Sequence, residues 1–255
     1  MEGIVKKFLD IIFGHLITIC IVAGLVYFYF NYIGRVKYIG RKNLPKNGKI
    51  IYYANHPSMM DPFLVLELFF WRSFFQPKKI PWSPAAKENF FPEDSKRVPI
   101  IKNIPYVKNL PVLAWFCRHT HGIPVERDKR DNNAVSQLCD KLSNGENVLI
   151  FPEGQRTEPG SDMSDFNPGI AIIFCRSNVE GVVPIKVVGS DKVLPRGSGW
   201  PNWKKGRVKV IVGEPITDLL RAKKEALGLG RGTTDCAELR DLLKIFEEEL
   251  KRVPV

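Results

Sequence analysis

The sequence predicts an α/β fold, in which a mostly parallel or mixed sheet is flanked by helices behind an N-terminal membrane-associated hydrophobic helix or helical hairpin. Between residues 35 and 255, apolar runs of strand length alternate with longer segments of helical periodicity, the pattern typical of a sheet covered on both faces. Residues 11–34 carry no Asp, Glu, Lys or Arg, as expected of a segment inside a bilayer. We therefore divide the chain into a membrane anchor, residues 1–34, and a main domain, residues 35–255.

The hydrophobic segment is long enough to reach across a membrane. As a helix, residues 11–34 would measure about 36 Å, against roughly 30 Å for the hydrocarbon core of a bilayer. A secretory signal peptide has a shorter apolar run, followed by a small-residue cleavage site. A hairpin dipping into one leaflet stays open, because Asp10 and His15 lie near the start of the segment. Basic residues are denser after the segment than before it, which predicts a main domain facing the cytoplasm.

The elements of the main domain follow from the spacing of its apolar residues and turn residues. The last helix is the clearest, because Leu239, Leu242, Phe246 and Leu250 recur at helical spacing. Residues 92–111 are polar and contain several prolines, and we interpret them as a surface insertion. The predicted strands are residues 35–39, 50–54, 80–85, 122–127, 148–151, 181–188 and 208–213. The predicted helices are residues 62–71, 110–119, 131–144, 168–176 and 235–251.

The most informative stretch lies between the strand at residues 50–54 and the helix that Pro62 opens. It contains His56 and, five residues later, Asp61. A tight loop can fold the Asp61 carboxylate onto one ring nitrogen of His56, leaving the other nitrogen to accept a proton from a hydroxyl group. The alternative is structural: Asp61 is a good N-cap ahead of a proline at the first helical position.

Composition limits the function classes. The net charge is +11, and its whole excess lies in residues 35–255, which predicts a surface that attracts anionic lipid, phosphorylated substrates or nucleic acid. The five cysteines include no C-x-x-C pair, so they indicate neither a zinc ribbon nor a disulfide framework. His119 and His121 lack a further ligand motif, and we expect no metal site. The chain also contains no G-x-x-x-x-G-K-[ST] phosphate loop, and Ser58 is not in a G-x-S-x-G elbow.

Four stretches, in this order and at these intervals, resemble the glycerolipid acyltransferase family, and most closely its 1-acylglycerol-3-phosphate (lysophosphatidate) acyltransferases. The resemblance runs from about Tyr38 to Ile216. His-x4-Asp alone is a weak signal, whereas all the blocks in register behind a hydrophobic segment are a strong one. The stretches are residues 55–61, residues 122–127, residues 151–157 and the Val183-Pro184-Ile185 triplet.

The resemblance implies a role for each matched residue. His56 would be the general base, and Asp61 the carboxylate that orients it. Arg127, in the second stretch, would bind the phosphate of the acceptor, and Pro184 would lie on the acyl-donor side. Lys87 is a softer match to a basic residue in similar proteins. The third stretch would contribute the acceptor-binding residues Glu153, Gly154 and Arg156.

The implied reaction transfers a fatty acyl group from acyl-CoA or acyl-carrier protein to the 2-hydroxyl of lysophosphatidate, giving phosphatidate. It requires no cofactor, and the expected partners are these substrates and membrane lipid, not nucleic acid. Two departures leave substrate specificity open: the insertion at residues 92–111, and Asn167 where many relatives carry a lysine. The alternatives are acylation of glycerol 3-phosphate or another lysophospholipid, and a basic membrane-tethered binding protein without catalysis. The last alternative has no need of His56 and Asp61 together.

Overall fold

The computed structural model describes residues 24–70, 76, 79–87, 117, 120–126, 132–157, 163–230, 232 and 236–255. The first 23 residues, most of the predicted helix at residues 110–119 and the insertion at residues 92–111 lie outside these ranges. The strands are β1 Lys37–Ile39, β2 Ile50–Ala54, β3 Ser83–Ala86, β4 Gly122–Val125, β5 Val148–Ile150, β6 Gly181–Val188 and β7 Lys209–Val212. The helices are α1 Gly24–Phe28, α2 Asp61–Glu67, α3 Asn132–Ser143, α4 Gly169–Arg176, α5 Ser190–Val193, α6 Thr217–Ala226 and α7 Cys236–Arg252.

The strands form a mixed sheet in the order β1-β7-β6-β2-β5. β2 runs parallel to both β5 and β6, whereas β7 is antiparallel to β6. β3 and β4 form a second, parallel pair next to β5. Trp82 connects this pair to β5: its N–H donates to the Asn147 carbonyl and its C=O accepts the Leu149 N–H, each at 2.8 Å. The carboxyl ends of β2 to β6 therefore lie along one edge, which we call the carboxyl edge. Crevices at such an edge are where open α/β sheets bind their ligands.

Both faces of the sheet are buried, as the sequence predicts. Successive residues of β2 point to opposite faces: Tyr52 packs edge-to-face on Phe69, with ring centroids 4.7 Å apart, and Tyr53 packs on Phe246 at 5.2 Å. The Tyr53 face is covered by α3, α4, α6 and α7. The Tyr52 face is covered by α2, the segment at residues 24–36 and the loop after α5. This arrangement confirms the predicted mixed α/β sheet flanked by helices.

Several predicted boundaries shift for identifiable reasons. The predicted strand at residues 35–39 begins at Lys37, because Arg35 adopts a φ of 49°, outside the extended region. The predicted strand at residues 80–85 becomes Ser83–Ala86, with Trp82 forming only an isolated bridge. The short helices α5 and α6 were not predicted. The predicted strand at residues 181–188 matches β6 at both ends.

The described part of the N-terminal segment is helical. α1 continues into a π-helical turn, Tyr29–Ile33, and the N–H of Val36 closes this segment by bonding to the Phe30 carbonyl at 3.0 Å. No helix within the described residues has the length and apolar character needed to cross a membrane. The predicted anchor at residues 1–34 therefore stays a prediction.

Candidate active site

The loop after β2 is fixed to the neighbouring strand by Asn55. Its side-chain amide donates to the Val187 carbonyl at 2.9 Å and accepts the Val187 N–H at 2.7 Å. The side chain thus extends the β2–β6 ladder beyond Ala54 and sets the point where the chain leaves the sheet. Two bonds on a buried amide make this start of the loop rigid.

His56 and Asp61 form the dyad that their spacing predicts. His56 Nδ1 lies 3.1 Å from Asp61 Oδ2, and the same oxygen accepts the Ser58 N–H at 2.5 Å. A proton on Nδ1 satisfies the carboxylate, which leaves Nε2 as the acceptor. Phe151 packs against the imidazole, with ring centroids 4.7 Å apart. Asp61 is the first residue of α2, and the N-cap position is taken by Met60. The Asp61 carboxylate faces the loop: Oδ2 accepts the Ser58 N–H, and Oδ1 has no hydrogen-bond partner among the described residues.

Burial defines the electrostatics of the dyad. Asp61 is fully buried, whereas the His56 side chain is 14% exposed. Desolvation raises the pKa of Asp61 above its ordinary value, and the His56 ring, the nearby Ser190 hydroxyl and the Ser58 N–H oppose that rise. Ser190 begins α5, directly after β6, and brings its hydroxyl close to Asp61. Neither Ser190 Oγ nor Asp61 Oδ1 reaches hydrogen-bond geometry with any described residue.

The loop after β5 holds His56 from the other side. Glu153 Oε1 accepts the His56 N–H at 2.9 Å, and the Thr157 N–H donates to the His56 carbonyl at 3.0 Å. Glu153 Oε2 accepts the Thr157 hydroxyl at 2.7 Å and the Ser164 N–H at 3.0 Å. Both carboxylate oxygens of this buried glutamate are therefore engaged by the chain itself. The arrangement positions the loop at residues 55–61, which we call the catalytic loop.

Gly154 and Asn167 complete this turn. Gly154 has a φ of 69°, and a Cβ there would overlap the Asn167 amide. Asn167 donates from its side chain to the Glu153 carbonyl at 3.0 Å and from its backbone to the Pro152 carbonyl at 2.8 Å. The residue that replaces the lysine of many relatives thus ties the β5 loop to the start of α4.

The other predicted site residues are distributed unevenly. Lys87 follows β3, where its Nζ lies 3.4 Å from Glu126 after β4. Arg156 is half-buried in the β5 loop, so both residues follow strands that end at the carboxyl edge. Arg127 lies outside the described residues. Pro184 is buried in the middle of β6, paired with Tyr53, and is not brought to that edge.

One histidine of the pair considered for metal binding, His121, takes another role. His121 stacks on Trp82, with centroids 4.2 Å apart and the planes 8° from parallel, and its Nδ1 lies 2.8 Å from the Ile80 carbonyl. His119 lies outside the described residues. Across the described ranges, no group of His, Cys, Asp and Glu side chains has the arrangement of a metal site.

The positioning role of Glu153 gives a testable prediction. Glu153→Gln keeps one oxygen for the His56 N–H but turns an NH₂ group toward two donors, the Thr157 hydroxyl and the Ser164 N–H. We expect kcat to fall roughly 10- to 100-fold, since both charge-assisted bonds to Oε2 are lost and the Ser164 N–H is left unpaired. The KM for the acceptor should change little. Steady-state titration of the acceptor distinguishes a positioning role from substrate contact. A raised KM at unchanged kcat would show that Glu153 contacts the acceptor, as the family resemblance implies.

Comparisons with known proteins match this chain to acyltransferases. A family model described as Acyltransferase matches residues 35–188. A 1-acyl-sn-glycerol-3-phosphate acyltransferase of Chlamydomonas reinhardtii is 28% identical over 181 residues, 70% of this chain and 46% of that protein. One from Bacillus subtilis (strain 168) is 28% identical over 106 residues, 40% of this chain and 46% of that protein. The chain thus spans about half the length of these relatives.

A solved structure shares the fold. The 1-acyl-sn-glycerophosphate acyltransferase PlsC from Thermotoga maritima superposes with a TM-score of 0.57 over 91% of this chain and 78% of that one, at 22% identity. The family match includes the His56–Asp61 dyad and the β5 loop that holds it, and covers more than half of the sequence. The chain therefore belongs to the acyltransferase family.

Proposed function

We propose that this acyltransferase moves a fatty acyl group from a thioester to the 2-hydroxyl of 1-acylglycerol 3-phosphate and forms phosphatidate. The observation that carries the proposal is the His56–Asp61 dyad, held at the same carboxyl edge of the sheet at which β3 and β5 end, each followed by a basic residue. The relatives named above act on this acceptor by their names, and the match to the family model, residues 35–188, contains the dyad.

The dyad suits direct transfer between two bound substrates. His56 Nε2 takes the proton of the 2-hydroxyl as that oxygen attacks the thioester carbonyl, while Asp61 stabilises the imidazolium that forms. Collapse of the tetrahedral intermediate breaks the C–S bond, and the proton leaves with the thiol. Ser58 is unsuited as a nucleophile, because its buried hydroxyl donates to the Leu194 carbonyl at 2.8 Å. An acyl-enzyme is therefore not required.

The second part of the proposal is that basic residues bind the phosphate head group of the acceptor. Arg156, Lys87 and Arg127 follow three strands that end at the carboxyl edge, where cations can bind a phosphate dianion from several sides. Holding the acceptor by its phosphate would convert an encounter into an oriented attack on the thioester. The donor is acyl-CoA or acyl-carrier protein. The +11 charge and the hydrophobic segment at residues 11–34 support attachment to a membrane, with the main domain on its cytoplasmic side.

The proposal is tested with purified full-length protein and a labelled acyl donor. The acceptors offered are lysophosphatidate, glycerol 3-phosphate, lysophosphatidylcholine and monoacylglycerol. We expect the highest kcat/KM for lysophosphatidate and a labelled product that is phosphatidate. Preference for glycerol 3-phosphate or for another lysophospholipid would replace the acceptor assigned here while keeping the reaction. No transfer to any acceptor would contradict the reaction itself.

Replacing the arginines tests phosphate recognition. Arg156→Ala and Arg127→Ala each remove charge-assisted bonds worth about 1.5–3 kcal/mol, which predicts roughly 10- to 150-fold lower kcat/KM for lysophosphatidate. Lysine should restore only part, because a point charge does not reproduce the bidentate geometry of a guanidinium. Paired titrations with lysophosphatidate and uncharged monoacylglycerol provide the measurement. Equal losses for both acceptors would mean that these arginines hold the fold and not the phosphate.

A further inference from the structure

Trp200 is the most exposed of the large apolar residues that the structure describes, with 77% of its surface accessible. It lies in the loop between α5 and β7, residues 194–208, which we call the tryptophan loop. The backbone of this loop is ordered: the Asn202 N–H donates to the Val193 carbonyl at 2.8 Å, and the Ser198 N–H to the Pro195 carbonyl at 3.1 Å. An indole held in water by a fixed backbone costs free energy unless another surface covers it.

The tryptophan loop is built onto the N-terminal helical segment. Trp203 Nε1 donates to the Tyr29 hydroxyl at 2.9 Å, and its ring packs edge-to-face on Tyr29 and Phe30, with centroids 5.6 and 6.2 Å away. A Cβ at Gly34 would lie 2.7 Å from the Trp203 ring, so the backbone and the indole are in close contact there. The loop and the helical segment therefore present one continuous surface.

The outer face of the helical segment is apolar. Leu25, Phe28, Tyr32 and Ile33 are each between 53% and 65% exposed, and the rings of Phe28 and Tyr32 stack with centroids 4.9 Å apart. These residues lie on the same side of the sheet as the tryptophan loop, because both elements pack on the Tyr52 face. An apolar helix face beside an exposed indole is typical of a surface that enters the headgroup region of a bilayer.

The charges beside this surface complement anionic lipid. Lys204, Lys205 and Arg207 are exposed in the tryptophan loop, and Arg35 is exposed at the end of the helical segment. The described residues of the loop between Val193 and Lys209 include no aspartate or glutamate. Cations near the headgroups of anionic lipids attract the protein by about 1 kcal/mol each. A nucleic acid would use the same charges but would leave the aliphatic face of the helical segment in water.

We propose that the tryptophan loop and the outer face of residues 25–33 dock together on an anionic bilayer surface, with Trp200 among the headgroups. The inference rests on the membrane attachment in the proposed function. It adds to the end of the predicted anchor a second contact, the tryptophan loop, which lies far along the chain. Docking of this surface would also bring the catalytic loop close to the membrane. The Leu194 carbonyl, where the loop begins, accepts the Ser58 hydroxyl of the catalytic loop at 2.8 Å. The catalytic loop therefore lies close to the surface from which a lysolipid acceptor arrives.

The experiment compares full-length wild type with Trp200→Ala and with Leu219→Ala. Leu219 is 48% exposed on α6, which covers the opposite face of the sheet, so it controls for loss of any exposed apolar side chain. Acyl transfer is measured with lysophosphatidate in vesicles of phosphatidylcholine and phosphatidylglycerol, and with a short-chain lysophosphatidate dispersed as monomers. We expect Trp200→Ala to raise the apparent KM for the vesicle acceptor roughly 5- to 50-fold, as for loss of most of the burial of a large side chain. The KM for the dispersed acceptor, and both values for Leu219→Ala, should stay at wild-type levels.

Tryptophan fluorescence decides the same question without turnover. Vesicles with brominated acyl chains should quench wild type more than Trp200→Phe, and this difference should be larger when phosphatidylglycerol is present. A double change, Lys204→Gln with Lys205→Gln, should weaken this anionic-lipid dependence roughly 5-fold per lysine. Equal quenching of wild type and Trp200→Phe, or an indole already blue-shifted in water because another part of the chain covers it, would overturn the proposal. Absence of acyl transfer to every acceptor would overturn the proposed function but leave this test of docking intact.

Discussion

His56→Ala should lower kcat by roughly 10²–10⁴ while leaving the fold intact, the range expected when a general base is removed. The imidazole is 14% exposed and lies in a loop at the edge of the sheet, so removing the ring opens no large cavity in the core. The Asn55 amide and the Glu153 carboxylate act through backbone groups, and they should hold the loop in its position without the ring. The acceptor KM should change little, because the base gains its interaction only as the proton moves.

Single-turnover kinetics and thermal unfolding measure these two halves of the prediction. The melting temperature of His56→Ala should stay within a few degrees of wild type, which shows that the chemistry and not the structure is lost. Near-normal turnover in a folded His56→Ala protein would end the mechanism. A fall in turnover matched by unfolding would leave the ring with a structural role.

Asp61→Asn should be nearly as damaging to catalysis, by roughly 10²–10⁴ in kcat, because the amide cannot stabilise the imidazolium or fix its tautomer. Since the two side chains act as a unit, the double variant His56→Ala/Asp61→Asn should be little worse than either single variant. A multiplicative loss in the double variant would show that the two side chains act independently.

The same substitution should not destabilise the fold. Burial raises the pKa of Asp61, so the folded state favours the neutral acid, and its stabilisation is lost as pH rises through the folded-state pKa. Ionising this buried carboxyl is therefore a cost of folding, which a neutral asparagine avoids. We expect the melting temperature of Asp61→Asn to equal or exceed that of wild type at pH 7, and the difference to shrink under acid conditions. If Asp61→Asn melted several degrees below wild type at pH 7, the buried Asp61 carboxylate would not be a cost to folding stability.

The dyad could be predicted because it is local. Only four residues separate His56 from Asp61, and the strand before them and the proline after Asp61 both leave signals in the sequence. Ser190 could not be found this way, because only the pairing of β2 with β6 places the start of α5 beside the catalytic loop. α5 is a single turn of four residues, too short to show a helical periodicity of apolar residues, so the sequence does not predict it.

Glu153 shows a second limit of sequence reasoning. The sequence identifies the stretch that contains Glu153. The direction of its side chain is set by bonds to the His56 N–H, after β2, and to the Thr157 hydroxyl, after β5, and these two loops are far apart in the sequence. A sequence marks that a glutamate matters at a position without showing which way it faces. Trp200 is similar, since a tryptophan is usually taken for core, and only its 77% exposure separates it from Trp203, three residues on, which packs on Tyr29.

The most direct test of the central claim is a single-turnover measurement of phosphatidate formation in wild type, His56→Ala and Ser58→Ala, with labelled acyl donor and lysophosphatidate. Ser58 is a matched control, because it lies in the same loop, is buried, and offers the hydroxyl that an acyl-enzyme mechanism would need. If His56 activates the acceptor for direct transfer, His56→Ala loses roughly 10²–10⁴ in rate, whereas Ser58→Ala loses about 10-fold or less, the cost of one hydrogen bond. The donor alone then leaves no label on the protein. A labelled protein formed before phosphatidate, and abolished by Ser58→Ala, would contradict the account.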